Sequence, residues 1–313
     1  MDKPFLWKSD MIKSIDFYNE WFVNFAPKAF REVRNETIQM VEKTFESTTN
    51  LAVITAKHLI ENPENLQILR MATCPPLARD RLIGIAGISP NLVKKMENIE
   101  NPQLPLRMKK EELALQLERA SNLIQKLLDL DILPWIKEDR EASSEEIYRA
   151  ATVIADRLCG AMTNPIIRNA QEERQLEKLV KIVEAKGYKL KQPGTDAFSM
   201  VEGEYAIHIN VPAKLGVDQT VNISVDFAFV PFSGKKGELP ILIEAKSAGD
   251  FTNVNKRRKE EAQKMQQLKK TFGEVQYILY LTGYFDTGYL GYEAAEGIDW
   301  FWEHKLIDLE KIL

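Results

Sequence analysis

Two β-rich segments joined by a short polar turn constrain this chain more than any other feature. The first reads Val221-Asn-Ile-Ser-Val-Asp226-Phe-Ala-Phe-Val-Pro231. The second reads Leu239-Pro-Ile-Leu-Ile-Glu244-Ala-Lys246-Ser247, with a Gly/Lys turn at Ser233 to Gly237 between them. β-Branched and aromatic residues bounded by Pro and Gly are the chemistry of paired strands. Period-2 alternation puts Val221, Ile223, Val225, Phe227 and Phe229 on one face, with Asp226 pointing the other way. In the second strand Ile241, Ile243 and Ala245 lie opposite Leu242, Glu244 and Lys246. Pairing the strands brings two carboxylates and a lysine towards one point, and that point can hold a divalent metal.

Phosphodiester hydrolysis asks for such a set. Charge on the transition state has to be neutralised, and a hydroxide has to be supplied at neutral pH. Oxygen ligands from Asp and Glu hold Mg²⁺, which does the first and lowers the pKa of its bound water. A lysine beside the metal can orient or deprotonate the attacking water, because a lysine pKa falls on desolvation and near a cation. The plainer reading is a solvated strand face or an ion pair. Against it, Glu244 and Lys246 interrupt an apolar strand, where unpaired charge is costly, and a dense basic stretch follows at once.

The 313 residues are enough for one large domain or two ordinary ones. A hydrophobic fraction of 44% and a charged fraction of 28% describe a soluble globular protein. The net charge of −4 excludes wholesale coating of nucleic acid but not a local basic patch. Cys74 and Cys159 are far apart and lack CxxC spacing, so they form neither a metal site nor a disulfide framework. Without a signal-peptide core or a membrane-spanning run, the expectation is a cytoplasmic protein with no membrane association.

Residues 1–160 read as a helical domain. Helical periodicity runs from Pro27 to Thr49, a second helix from Leu51 to Glu61, and Pro63 restarts a third. Met108 to Asp129 carries the cleanest apolar stripe, and Ser143-Ser-Glu-Glu146 caps a helix through Leu158. One segment resembles a helix-turn-helix: a helix ends at Gly87, Ser89 caps the next and Pro90 opens it. Asn91, Lys94 and Lys95 would then face outward on a recognition helix. Short helical hairpins of this spelling also occur without DNA contact.

From Asn164 the texture changes, and residues 161–313 read as a second domain. Pro165 opens a long helix, Ile166 to Lys186, closed by Gly187. Short strands follow at Tyr188–Leu190, Gly194–Asp196 and Tyr205–Asn210, leading into the central pair. After Lys246 come a polar loop, a helix ending near Phe272 and a strand from Glu274 to Thr282. A helix or turn follows from Asp286 to Gly297, then a strand from Ile298 to Trp302 and a helix from Lys305 to Leu313. The fold class is α/β (α+β), a mixed sheet flanked by helices with a helical N-terminal half.

Asp226 with Glu244-Ala-Lys246, on adjacent strands between helices, resembles the PD-(D/E)xK nuclease core. Longer wording is similar to the XamI-like type II restriction endonucleases. It comprises Asn164-Pro-Ile-Ile-Arg168-Asn169, Ile243-Glu244-Ala-Lys246-Ser-Ala-Gly-Asp250-Phe-Thr-Asn253, Asn255 to Ala262, Gly283 to Trp300 and Leu69 to Arg81. The resemblance spans roughly residues 66–313. It implies a Mg²⁺-dependent endonuclease that cuts both strands at a short palindromic site, as a homodimer, with a cognate DNA methyltransferase protecting host DNA. Asp226 and Glu244 match the metal-binding acids and Lys246 the catalytic lysine. Val225 departs from the pattern, since it stands where the superfamily's name has Pro. An acid on the first core helix often assists the metal in such folds; Glu173 or Glu177 would serve, and either is equally readable as a solvated helix acid. Ser247 is readable as a group near the site or as a strand-end cap.

Contacts to double-stranded DNA are expected from Asn253, Asn255, Lys256, Arg257, Arg258 and Lys259, which open a helix just after the catalytic strand. Arg and Asn there can also read base edges. Glu260 and Glu261 follow directly, so a solvated cationic face is the alternative. His58, His208 and His304 lack partners at metal-ligand spacing and read as structural. Two other functions stay open: a repair or resolvase nuclease that cuts by DNA structure, and a DNA-binding protein that has lost catalysis.

Overall fold

The computed structural model describes residues 4–98, 100–191, 196–214, 219–234, 237–250 and 254–313, with backbone alone at 254–257. The helices are α1 (Pro4–Ser47), α2 (Ala56–Glu61), α3 (Asn65–Met71), α4 (Arg79–Ala86), α5 (Pro90–Met96), α6 (Lys110–Lys126), α7 (Pro134–Lys137) and α8 (Ser144–Ala185). Then come β1 (Lys189–Leu190), β2 (Glu204–Lys214), β3 (Thr220–Phe229), β4 (Ile241–Ala248), α9 (Val254–Phe272), β5 (Tyr277–Gly283), α10 (Thr287–Glu296) and β6 (Asp299–Trp302). A 3-10 segment covers Glu303–Lys311, where sequence periodicity had suggested an α-helix. The Gly194–Asp196 strand expectation falls largely outside the described residues.

The chain divides into two compact units, Pro27–Ile166 and the combination of Met1–Ala26 with Ile167–Leu313. Both boundaries coincide with prolines inside long helices. Sequence reading started helices at Pro27 and Pro165, but α1 and α8 run straight through them. A proline deletes one i→i−4 hydrogen bond and strains the turn before it, yet a long helix can carry that cost. The expected helix from Leu51 also begins later: Thr49, Asn50 and Leu51 have positive φ, and Thr55 caps α2 by accepting from the His58 N–H.

In the unit Pro27–Ile166 the apolar stripes of α1, α3, α6 and α8 close over Val41, Phe45, Leu69, Leu117, Ile124 and Ile154. Buried charge is paired. Arg70 makes a two-pronged contact to Glu97 at 2.6 and 2.9 Å, and Arg157 donates to Asp129 at 2.6 Å. The hairpin α4–α5 forms as its spelling suggests, with Gly87 left-handed at φ 61° as the C-cap. Asn91, Lys94 and Lys95 are exposed on α5, while Leu92, Val93 and Met96 are buried.

The other unit is built on a mixed six-stranded sheet in the order β1-β2-β3-β4-β5-β6. β2, β3 and β4 are antiparallel neighbours; β4, β5 and β6 run parallel, linked by crossovers through α9 and α10. One face packs Leu242, Leu279 and Leu281 with Met265 and Leu268 of α9. The other packs Phe227, Phe229, Ile243 and Tyr280 with Leu176, Leu179 and Val183 of α8.

The alternation expected along β3 does not hold to its end. Ile223 and Val225 join the first core, whereas Phe227 and Phe229 join the second. β2 switches too: Ala206 and Ile209, an odd spacing, share the first core. Both reversals happen at one place. The ladder pairs Ile207 with Phe227 and Ile209 with Val225 but skips His208 and Asp226, and His208 has φ 51°. A left-handed residue rotates its own strand, so side chains of β2 on either side of His208 exchange faces, and β3 reverses at the unpaired Asp226 opposite it.

Residues before Ala26 anchor the sheet. Trp7 meets Trp300 edge-on at 5.3 Å, Asp10 pairs with Lys305 at 2.7 Å, and the Gly283 N–H donates to the Ser14 hydroxyl at 2.8 Å. Gly283 has φ 91°, and a Cβ there would lie 2.0 Å from the Ala248 carbonyl oxygen. That oxygen already accepts from the Tyr284 N–H at 2.7 Å. Gly283→Ala should therefore cost about 3 kcal/mol, through backbone strain and a forced shift of β4. A urea-midpoint measurement checks this, and an unchanged midpoint would refute it.

Candidate active site

β3 and β4 carry the acids because their apolar residues fix the register. Phe227 pairs with Ile243 and Ala228 with Leu242, and Asp226 and Glu244 are the residues next to the Phe227–Ile243 pair. The Asp226 Oδ2 accepts from the Ala245 N–H at 2.8 Å, which ties the first acid to the second strand's backbone. Burial, and then the neighbouring Glu244, push the Asp226 pKa up from 3.8 to about 6. Burial thus disfavours the Asp226 carboxylate first, and its neighbour Glu244 adds to the cost.

Glu244 is buried. Its Oε1 accepts from Lys246 at 2.9 Å and also from Lys264 of α9. Its Oε2 is buried without a hydrogen-bond partner among the described residues. Lys246 in turn lies 3.1 Å from Glu261 of α9, a fully buried acid that accepts from the Tyr277 hydroxyl at 2.8 Å. Burial works against the Lys246 ammonium, but Glu261 and Glu244 outweigh it and raise its pKa above the usual lysine value. The sequence reading allowed this lysine to deprotonate water. Between these two acids the arrangement favours the other role read from the sequence, an ammonium that orients the water, donates hydrogen bonds and offsets developing negative charge.

The helix acid beside this pair is Glu172 of α8. Glu172, His208 and Asp226 each offer a ligand atom, and these atoms lie within 4.8 Å of one another. Glu173 and Glu177, the acids read from the sequence, are both exposed on α8. The donor set fits a divalent cation: oxygen ligands, one buried oxygen unpaired among the described residues, and a carboxyl group held above its ordinary pKa by burial and then by Glu244.

Of the expected DNA contacts, Asn253 lies outside the described residues, as do the side chains of Asn255, Lys256 and Arg257. Lys259 is exposed on α9, whereas Arg258 is half-buried with its guanidinium 4.5 Å from the Tyr292 ring centre. Tyr289 is core. His208, read as structural, is drawn beside Asp226, while His304 is largely buried near Asp10.

Sequence reasoning missed Glu172, Glu261, Lys264 and Tyr277. Glu261 and Lys264 carried a signal, since three residues apart on a helix they share a face with the buried Met265 and Leu268 close by. Glu261 entered the sequence reading only as part of an alternative solvated face, and Lys264 not at all.

Comparison with known proteins bears on this site. The XamI restriction endonuclease family model matches residues 49–302. The type II restriction enzyme SalI of Streptomyces albus G is 46% identical over 312 residues, 99% of this chain and 98% of that enzyme. The crystal structure of protein VC1899 from Vibrio cholerae aligns with 82% of this chain and 54% of its own, at 14% identity. Its TM-score of 0.26 is too low to carry an argument. A match over most of the chain, together with a full-length relative at this identity, places the protein: the chain belongs to the XamI restriction endonuclease family and is a restriction endonuclease.

Proposed function

We propose that the chain makes Mg²⁺-dependent double-strand cuts at a short palindromic DNA site, working as a homodimer in the cytoplasm beside a cognate DNA methyltransferase. The observation that carries this is Asp226 and Glu244 brought close on adjacent strands, the first accepting from the Ala245 N–H and the second from the Lys246 ammonium. A two-fold dimer presents two such sites to two antiparallel strands, which is the symmetry of a palindrome.

Asp226 and Glu244 would hold the cation, with Glu172 as the acid on the core helix. The bound Mg²⁺ supplies positive charge at the scissile phosphate and lowers the pKa of a bound water. Lys246 donates to the non-bridging phosphate oxygen or to the attacking water, and Glu261 and Lys264 keep it and Glu244 in place. Burial of this group excludes bulk water and strengthens each charge contact. Lys259 and Arg258, with Asn253, Asn255, Lys256 and Arg257 at the start of α9, are the proposed phosphate and base contacts. Lys94 and Lys95 on the exposed face of α5 are the contacts proposed for the helical unit. No helix among the described residues is long and apolar enough to cross a membrane.

The test is incubation with unmethylated phage DNA, with and without Mg²⁺. Discrete fragments that need Mg²⁺, with ends mapping to one palindrome, are expected. A smear would favour a nuclease that reads DNA structure. Retarded but uncut DNA would sink the catalytic reading and leave a binding protein.

A further inference from the structure

β2 and β3 pair continuously from Lys214 and Thr220 to Tyr205 and Phe229, apart from the skipped position where His208 stands across from Asp226. At that position the backbone of His208 adopts φ 51°, unusual for a residue with a bulky side chain. The imidazole Nδ1 lies 3.9 Å from the Glu172 carboxylate, too far for a hydrogen bond. The ligand atoms of Glu172, His208 and Asp226 nevertheless lie within 4.8 Å of one another. Two ligands held about 2.0–2.2 Å from one ion are roughly 3–4.4 Å apart, so this spacing is that of a cation's ligands before closure. A second observation points the same way. The side chain of Glu244, which bears on Asp226, is 5% exposed, and its Oε2 has no hydrogen-bond partner among the described residues.

We propose that His208 is a nitrogen ligand of the cation site, joining Glu172 and Asp226 in holding the divalent ion. This rests on the reading of Asp226 as a metal ligand. The sequence concealed it because an isolated histidine on a strand has no spacing signature; only the skipped ladder pair sets it against the acid. An imidazole among carboxylates tilts selectivity from Mg²⁺ towards Mn²⁺ and later transition ions, since nitrogen is a softer donor than oxygen. The plainer alternative is an exposed histidine beside a surface acid, as its side chain is 60% exposed.

The probe is Mn²⁺, added to the metal-free full-length protein and followed by calorimetry and by pulsed EPR for nitrogen coupling. His208→Gly removes the ring while glycine accepts the positive φ. Wild type should show imidazole nitrogen coupling that His208→Gly lacks. Mn²⁺ affinity should fall about tenfold or more, and Mg²⁺ affinity by less. Glu172→Gln should weaken Mn²⁺ while keeping the nitrogen signal, which guards against a misfolded glycine variant. Bound Mn²⁺ without nitrogen coupling, at an affinity that Asp226→Asn lowers and His208→Gly does not, would remove His208 and leave Asp226 in place. Affinity insensitive to Asp226→Asn, or no binding at millimolar Mn²⁺, would overturn both.

Discussion

Lys246→Ala will slow DNA cleavage by about 10³-fold or more, the scale of a lost proton-transfer or charge-stabilising group. It will also destabilise the protein. Lys246 lies between Glu244 and Glu261, both nearly or fully buried. With the ammonium gone, Glu244 keeps Lys264, whereas Glu261 keeps the Tyr277 hydroxyl. Breaking a buried charge pair from one side costs about 3–5 kcal/mol. Lys246→Arg separates the two effects. It restores charge and hence stability, but a planar fork cannot replace a compact ammonium at the reacting phosphate, so cleavage stays impaired. Single-turnover cleavage together with a thermal melt reads both quantities. An alanine variant that cut within tenfold of wild type would exclude Lys246 from the chemistry.

Asp226→Asn will abolish cleavage and yet stabilise the metal-free protein at neutral pH. The folded pKa of Asp226 is raised from 3.8 to about 6 by burial and by Glu244. The folded state therefore holds a proton that the unfolded state releases between those values. The group's contribution is full below pH 4, declines as pH rises through about 6, and is absent above. Two pKa units correspond to about 3 kcal/mol, and asparagine is spared that cost because it has no charge to bury. The gain should appear above pH 6 and vanish below pH 4, and bound divalent cation should reverse the ranking by favouring the native carboxylate. Urea midpoints of both proteins across this pH range decide it; no gain at pH 7.5 would contradict the buried-carboxylate picture.

The strand pair, the crossover helices and the three central charges were legible because each rests on local chemistry: β-branched runs, a Gly or Pro at each end, and charges breaking an apolar strand. The failures lie where packing, and not local chemistry, decides. Strict alternation assumed that every residue of β3 keeps the same twist, and at Asp226, the position the ladder skips opposite His208, Phe227 and Phe229 pass to the opposite core from Val225. Pro27 and Pro165 were read as helix starts, since a sequence shows the lost hydrogen bond but not the packing on either side. Glu261 and Lys264 did not stand out because their partners, Lys246 and Glu244, approach only once α9 folds back on the sheet. Glu172, one position before the acid chosen from sequence, differs from Glu173 by about 100° around the helix, a distinction that only packing resolves.

The clasp between the first helix and the last strands limits how this nuclease can be taken apart. A fragment beginning at residue 161 would retain Asp226, Glu244 and Lys246 but forfeit Trp7, Asp10 and Ser14, leaving Trp300, Lys305 and the Gly283 amide to water. The catalytic half is therefore not a portable C-terminal cassette. Fusions of the kind used to build chimaeric nucleases would have to carry both ends of the chain, with any foreign binding module inserted between them and not appended to a truncated start.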